Sequence, residues 1–280
     1  MLMKPDPAIM AELGGTLSPE PSDDEDCPRY TPEELAEFFL DFYTFLTTLH
    51  YDKADLKVPP PEGWPGFTPE LCAGFKSDYA LEILRHLPYL NSRAAIHYKS
   101  GLVDYTVFDR EYFERGEWRE ENIDFESSEG EVDPSHAFFI AFGRESNGVD
   151  LLLDTLHGEI LVNFIRCGSG GSHDVPTFFG DLKRAYQSLK LIPCVGRVTI
   201  EAEGVDEREG EITEEEFRAQ TGDWGTDLDV QYVRQMYRRH GWPGAFRKEE
   251  AAKAIGELVE SMGERGEWEG ESMLSHASLD

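Results

Sequence analysis

Three residues of the types used in nucleophilic catalysis lie within one glycine-rich stretch, which runs from Arg166 to Pro176. Cys167 can supply a thiolate nucleophile, His173 a general base, and Asp174 a carboxylate that orients the imidazole. Nucleophile and base usually come from distant segments, and a glycine-rich loop holds catalytic geometry poorly. We therefore interpret the stretch as a flexible connector and predict no catalytic residues. A hydrolase that uses Cys167 and His173 is the alternative.

The same stretch has the glycine content of a phosphate-binding loop, and a predicted helix follows it. The P-loop pattern requires Gly-Lys-Ser or Gly-Lys-Thr at the start of that helix, and neither sequence occurs there. The glycine spacing also fails to match Gly-x-Gly-x-x-Gly. No nucleotide or other cofactor is therefore predicted.

Four residues with metal-binding side chains flank the ends of predicted strands: Asp133, His136, Asp154 and His157. They lack the paired spacing of a familiar metal site, and the two acids are well suited to hydrogen-bond nearby turns. The four cysteines are widely separated and include no Cys-x-x-Cys pair. The sequence therefore predicts no metal site.

One cluster of basic residues stands out in an acidic chain. Arg234, Arg238 and Arg239 belong to a helix predicted over Asp227–His240. We expect them to form an exposed face that pairs with nearby acids rather than a binding site for an anion.

The framework that positions these residues is centred on three short apolar runs separated by turns. They are Phe138–Phe142, Val149–Asp154 and Glu159–Ile165. Each run is too short for an ordinary helix and is typical of a buried strand. Because short turns usually join neighbouring strands, we predict an antiparallel meander. A hairpin with strands at 94–98 and 102–108, turning at Lys99-Ser100-Gly101, is expected to add two strands.

Helices are predicted both before and after these strands in the sequence. The first opens with Thr31-Pro32-Glu33-Glu34, which has the pattern of a capping box and precedes a wide apolar face. Further helices are predicted to start at Thr68 and to cover 78–87, 178–189, 227–240 and 251–262, whereas 126–131 is predicted to be a mobile acidic loop. The predicted fold is therefore α+β, with an antiparallel meander sheet of about five or six strands covered by helices from both ends of the chain.

The same patterns predict one domain over residues 30–262. Residues 1–29 are rich in proline, serine and acid and are expected to form a disordered acidic tail, and residues 263–280 a second disordered tail.

Charge limits the classes of partner. The chain has 56 acidic residues against 26 lysines and arginines, which gives a formal net charge of -30. Nucleic acids and anionic membranes both require a basic surface, so neither is predicted as a partner. The charge favours proteins with basic surfaces. No secretory signal and no run of about 20 apolar residues is visible, so we expect a cytoplasmic or nuclear protein. The oligomeric state is left open.

The central strands also carry a resemblance. The strings Phe139-Ile-Ala-Phe-Gly143, Asn147-Gly-Val-Asp-Leu-Leu-Leu-Asp-Thr155 and Gly158-Glu-Ile160, with Leu87-Pro88 before them, resemble the core of the Smi1/Knr4 family of the SUKH superfamily. The acidic insertion after Leu87-Pro88 departs from the compact pattern of that family. The resemblance implies a SUKH-like domain of fungal type that acts as a non-enzymatic protein-interaction or regulatory module. A small-molecule carrier is a further alternative and would need a large apolar pocket.

Overall fold

The computed structural model describes residues 27–49, 51–72, 74–90, 95–97, 100–115, 125–143, 148–194, 199–261 and 265. Almost all of the two predicted tails lies outside these ranges, and their disorder stays a prediction. Seven α-helices occur within them: α1 (Pro32–Thr48), α2 (Asp78–His86), α3 (Arg110–Arg115), α4 (Val175–Gln187), α5 (Glu214–Arg218), α6 (Asp227–Arg239) and α7 (Lys248–Ser261).

Twelve short strands accompany these helices in the described part of the chain. They are β1 (Leu56–Lys57), β2 (Tyr89–Leu90), β3 (Ala95–His97), β4 (Ser100–Leu102), β5 (Glu126–Ser127), β6 (Gly130–Glu131), β7 (Ala137–Gly143), β8 (Val149–Asp154), β9 (Glu159–Phe164), β10 (Gly168–Asp174), β11 (Leu191–Ile192) and β12 (Ile200–Glu201). Six of them form one sheet in the order β10-β9-β8-β7-β4-β3, and every pairing in it is antiparallel. The predicted α+β class and the antiparallel meander are confirmed.

The centre of the sheet is formed by the three apolar runs. Phe138 on β7, Leu153 on β8 and Ile160 on β9 lie opposite one another in register, and all three are fully buried. Burial of each such side chain contributes about 1.5–3 kcal/mol to the free energy of folding. This cross-strand row therefore fixes the register of the meander, since a slip by one residue would turn it toward the other face.

Helix α1 begins as predicted. The Thr31 hydroxyl accepts a hydrogen bond from the Glu34 amide, and the Glu34 carboxylate accepts one from the Thr31 amide. Its buried face packs against α4, where the ring of Phe179 lies 4.9 Å from that of Phe39 and 4.7 Å from that of Phe42. The first aromatic stripe is therefore part of the core.

The predicted hairpin at 94–108 is placed wrongly. The two strands do pair with each other, as β3 with β4, but Ser100 and Gly101 belong to β4 instead of the turn, and β4 ends at Leu102. A 3-10 turn follows at Tyr105–Val107 because the Asp104 carboxylate accepts hydrogen bonds from the amide and hydroxyl of Thr106. Side-chain capping of this kind overrides the strand propensity of the segment.

The predicted flexible connector is also wrong, because it forms the edge strand β10 paired along β9. Glycine makes the pairing possible. A Cβ atom at position 170 would lie 2.7 Å from the Phe164 ring, and Gly168 and Gly171 have φ of +97° and +86°. The register shifts between Ser169 and Gly171, which is the signature of a β-bulge.

Two further expectations fail for local reasons. The acidic stretch 126–131, predicted to be a mobile loop, forms the β5–β6 hairpin, whose turn residue Ser128 is held by Glu159. The helix predicted to start at Thr68 is a set of hydrogen-bonded turns, with the Leu71 amide donating to the Thr68 carbonyl.

Candidate functional site

Strand β10 separates the residues of the possible catalytic group. Cys167 is exposed and directly precedes the strand, whereas His173 lies near its other end, opposite Ile160. At a rise of roughly 3.3 Å per residue, the thiol and the imidazole are about 15–20 Å apart. The ring of His173 instead lies 6.1 Å from the ring of Phe178 on α4. This arrangement does not bring the nucleophile and base of the hydrolase alternative together.

The Asp174 carboxylate contacts residues that precede α1. It accepts a hydrogen bond from the Tyr30 hydroxyl at 2.6 Å and forms an ion pair with Arg29 at 3.0 Å. The Thr177 hydroxyl donates to the same carboxylate. Burial, together with the hydrogen bond to Asp174, raises the pKa of Tyr30. These contacts tie the segment before α1 to the end of β10, and they give Asp174 a structural role.

Three carboxylates lie in one cross-strand row. Asp154 is opposite Glu159, and Glu159 is opposite Asp174. Burial alone would raise the pKa of Glu159, but hydrogen bonds from Ser128 and Ser172 hold it below its ordinary value of 4.5. The row is compatible with the sheet because each carboxylate has donors of its own.

The four residues considered as metal ligands are used separately. Asp133 caps the 3-10 turn Pro134–His136, and Nδ1 of His136 lies 3.2 Å from the Ser77 hydroxyl. Asp154 accepts from two turn amides and lies 2.7 Å from Nδ1 of His157. Among the residues that the structure describes, no group of three or more potential ligands gathers in a metal-binding arrangement.

The basic helix face is only partly as predicted. Arg238 forms two hydrogen bonds with Glu207, and Arg239 pairs with Glu211, as expected for exposed side chains. Arg234 contradicts the expectation, because it is only 2% exposed. Its guanidinium donates to the backbone carbonyls of Leu189, Ala202 and Val205, at 3.0, 2.6 and 2.7 Å. Arg234 therefore links α6 to the segment that precedes β11 and to the segment that follows β12.

An open groove of about 930 Å³ lies between α4 and the β11–β12 hairpin. Its floor is apolar and is formed by Phe178, Leu182 and Ala185 of α4, with Leu191 of β11. The three α4 residues share a face because they stand four and three residues apart. His173, near the end of β10, also lines the groove.

The rim of the groove is charged and has an excess of acid. Arg184 pairs with Asp181, and Lys190 pairs with Glu203 at 3.2 Å. Glu201, whose backbone pairs with Leu191, also lines the groove, and its carboxylate forms no hydrogen bond or ion pair with the residues that the structure describes. Glu201 is exposed at the edge of the groove, where partial desolvation and the neighbouring Glu203 raise its pKa. The groove therefore combines an apolar floor with one carboxylate that has no counter-ion among the described residues.

This groove was not predicted from the sequence. The apolar spacing on α4 was visible, but Glu201 belonged to a long acidic block in which no single residue stood out. Its position depends on the pairing of Leu191 with Glu201 in the β11–β12 hairpin. Pairing of such short strands leaves too weak a sequence pattern to identify the site.

Comparison with known proteins found no matching family model and no significant match to a curated protein or a solved structure. None of the helices in the described part of the chain is both long and apolar enough to cross a membrane.

Proposed function

We propose that this chain is a non-enzymatic protein-interaction or regulatory module that binds basic segments of partner proteins in the groove between α4 and the β11–β12 hairpin. The observation that carries this proposal is the exposed carboxylate of Glu201, which lies beside an apolar floor and has no counter-ion in the part of the chain that the structure describes. A lysine or arginine from a partner would pair with this carboxylate, and adjacent apolar side chains would contact the small parts of Phe178 and Leu182 that remain exposed, which are 9% and 6% of each residue.

The electrostatics of the whole chain support the same class of partner. A formal charge of -30 speeds the approach of a basic protein and opposes the approach of an acidic one. The rim adds three acids and two bases, so the local field has the same sign. Binding of this kind is expected to weaken with added salt, because exposed charges are screened.

The proposal also agrees with the resemblance of the central strands to the Smi1/Knr4 family, which includes fungal regulators of cell-wall synthesis and signalling and bacterial toxin-immunity proteins. We also propose that helices from both ends of the chain cover the sheet. Packing of α1 on α4, and the contact of Lys248 on α7 with the Thr47 carbonyl at 3.4 Å, support this arrangement. We propose the cytoplasm or the nucleus as its compartment.

A matched pair of charge reversals tests the function. Glu201→Lys places a cation in the groove, and Glu249→Lys makes the same change on the exposed face of α7. Affinity purification from the native host should recover a salt-sensitive basic partner with the wild type and with Glu249→Lys, and lose it with Glu201→Lys. Equal retention by both variants would exclude the groove, and the absence of any such partner would contradict the function itself.

A further inference from the structure

The outer edge of β10 is not paired with another strand in the described part of the chain, although β5 lies close to β10 and β9. Strand β10 ends the six-stranded sheet, and in the described ranges no backbone hydrogen bond joins it to any strand other than β9. The Val175 amide donates to the Gly158 carbonyl at 3.0 Å. This bond identifies which residues of β10 form hydrogen-bonded pairs with β9, because such pairs alternate along an antiparallel ladder. Gly171 and His173 therefore direct their backbone N–H and C=O groups toward β9, whereas Ser172 directs both outward.

This edge has few of the features that normally protect a sheet edge. Lysine and proline are absent from β10, and most of its side chains are hydrogen or a single hydroxymethyl group, so the backbone is accessible. The bulge between Ser169 and Gly171 limits regular pairing to the part of the strand that follows it. A segment pairing there forms few hydrogen bonds and needs contacts elsewhere.

The groove supplies those contacts because it begins where the regular part of β10 ends. The side chain of His173 lines the groove and approaches Phe178 on its floor. Side chains of a paired strand alternate between the two faces of the sheet. Residues flanking the one opposite Ser172 would therefore lie on the His173 face, from which they can reach the apolar floor.

We propose that an extended basic segment of a partner protein adds to β10 as a seventh strand at Ser172 and continues along the groove toward Glu201. This inference rests on the proposed function and specifies how the partner binds. Charge selects the occupant, since a second copy of a chain with a net charge of -30 would be repelled whereas a basic segment is attracted. Edge pairing of this kind takes affinity from main-chain hydrogen bonds and specificity from alternate side chains.

The probe is a short synthetic peptide of alternating lysine and valine, titrated against the full chain at low ionic strength. A second peptide has the same sequence and charge, but its backbone amides are N-methylated at every residue, so that none of them can donate to a strand edge in either orientation. We expect the unmodified peptide to bind and the methylated peptide to bind about tenfold more weakly, as expected when one or two hydrogen bonds are lost. Amide exchange at Ser172 should slow on binding, with little change at Gly171.

A pair of protein variants locates the edge. Ser172→Pro removes the outward N–H and the hydroxyl, whereas Ser172→Ala removes the hydroxyl, with its hydrogen bond to Glu159, and keeps the N–H. Binding should be lost in the first variant and kept in the second.

Three outcomes would each contradict a different part of the proposal. Equal affinity for both peptides, together with loss of binding in Glu201→Lys, would overturn strand addition and leave the proposed function intact. Absence of binding by either peptide would count against both. A self-associated form in sedimentation that Ser172→Pro abolishes would replace the partner segment by a second copy of the chain.

Discussion

Asp154 and Glu159 are direct cross-strand neighbours on β8 and β9, and both carboxylates are buried. Like charges placed opposite each other destabilise a sheet. Separate donors offset that cost, because Asp154 has the turn amides and His157, and Glu159 has the amide and hydroxyl of Ser128 at 3.0 and 2.7 Å. The β5–β6 hairpin and the β8–β9 turn are therefore held by the two acids that would otherwise repel each other.

Removing the Ser128 hydroxyl, which donates to Glu159, should make the free energy of unfolding less dependent on pH in the acidic range. The pKa of Glu159 is lowered in the folded state, so this carboxylate contributes stability that is present above its unfolded value of 4.5 and lost as the pH falls through the lowered value. Ser128→Ala should lower the free energy of unfolding by about 1.5–3 kcal/mol at neutral pH, since the hydrogen bond is charge-assisted. The difference should shrink in acid. Urea denaturation over a range of pH measures both effects.

The matched control for this prediction is Ser127→Ala in the same hairpin. The Ser127 hydroxyl donates to the neutral carbonyl of Gly130, so its removal should cost the same amount at every pH. A pH-independent cost for Ser128→Ala would show that Glu159 has no such linkage.

Replacing Arg234 by lysine should destabilise the domain by about 3 kcal/mol. Lysine keeps the charge but lacks the planar fork that reaches the carbonyls of Leu189, Ala202 and Val205, so buried acceptors lose their donors. Arg238→Lys, on the exposed side of the same helix, should cost less than about 1 kcal/mol. Chemical denaturation of the two variants provides the comparison, and similar costs would contradict the structural role of Arg234.

Sequence patterns predicted those elements whose signals are local. The capping box at Thr31 and Glu34 and the apolar runs of β7, β8 and β9 are complete within a few residues, so they predict a helix start and a buried meander. The burial of Arg234 depends instead on three carbonyls that come from other segments. No helical spacing contains that information.

Strand β10 also could not be predicted from its own residues. Glycine and serine indicate a loop when they are considered alone, and β10 forms because β9 lies beside it. The position of Glu201 in the groove depends in turn on the β11–β12 pairing. Both features of the candidate site therefore depend on tertiary pairing, and sequence analysis could not place them.

Gly170→Ala should destabilise the domain by about 1–3 kcal/mol, because a methyl group there meets the Phe164 ring at 2.7 Å and Cγ1 of Val162 at 2.8 Å. Gly204→Ala is the control, since a Cβ at that position meets nothing within 4 Å. Its effect should stay within about 0.5 kcal/mol. Thermal and urea unfolding of both variants measure the difference. Equal stability of the two variants would mean that β10 does not pack against β9 as described.

Thiol labelling of the native chain should separate the cysteines by burial and test the hydrolase alternative. Cys167 is exposed and should react rapidly, whereas Cys72 is buried, and burial raises its pKa to about 11, so it should react only on unfolding. Because β10 holds His173 far from Cys167, His173→Ala should leave the labelling rate of Cys167 unchanged. Mass spectrometry of labelled peptides over time gives the rate at each site. A rate that falls severalfold in His173→Ala, with the Ser169→Ala control unaffected, would instead support a nucleophile–base pair.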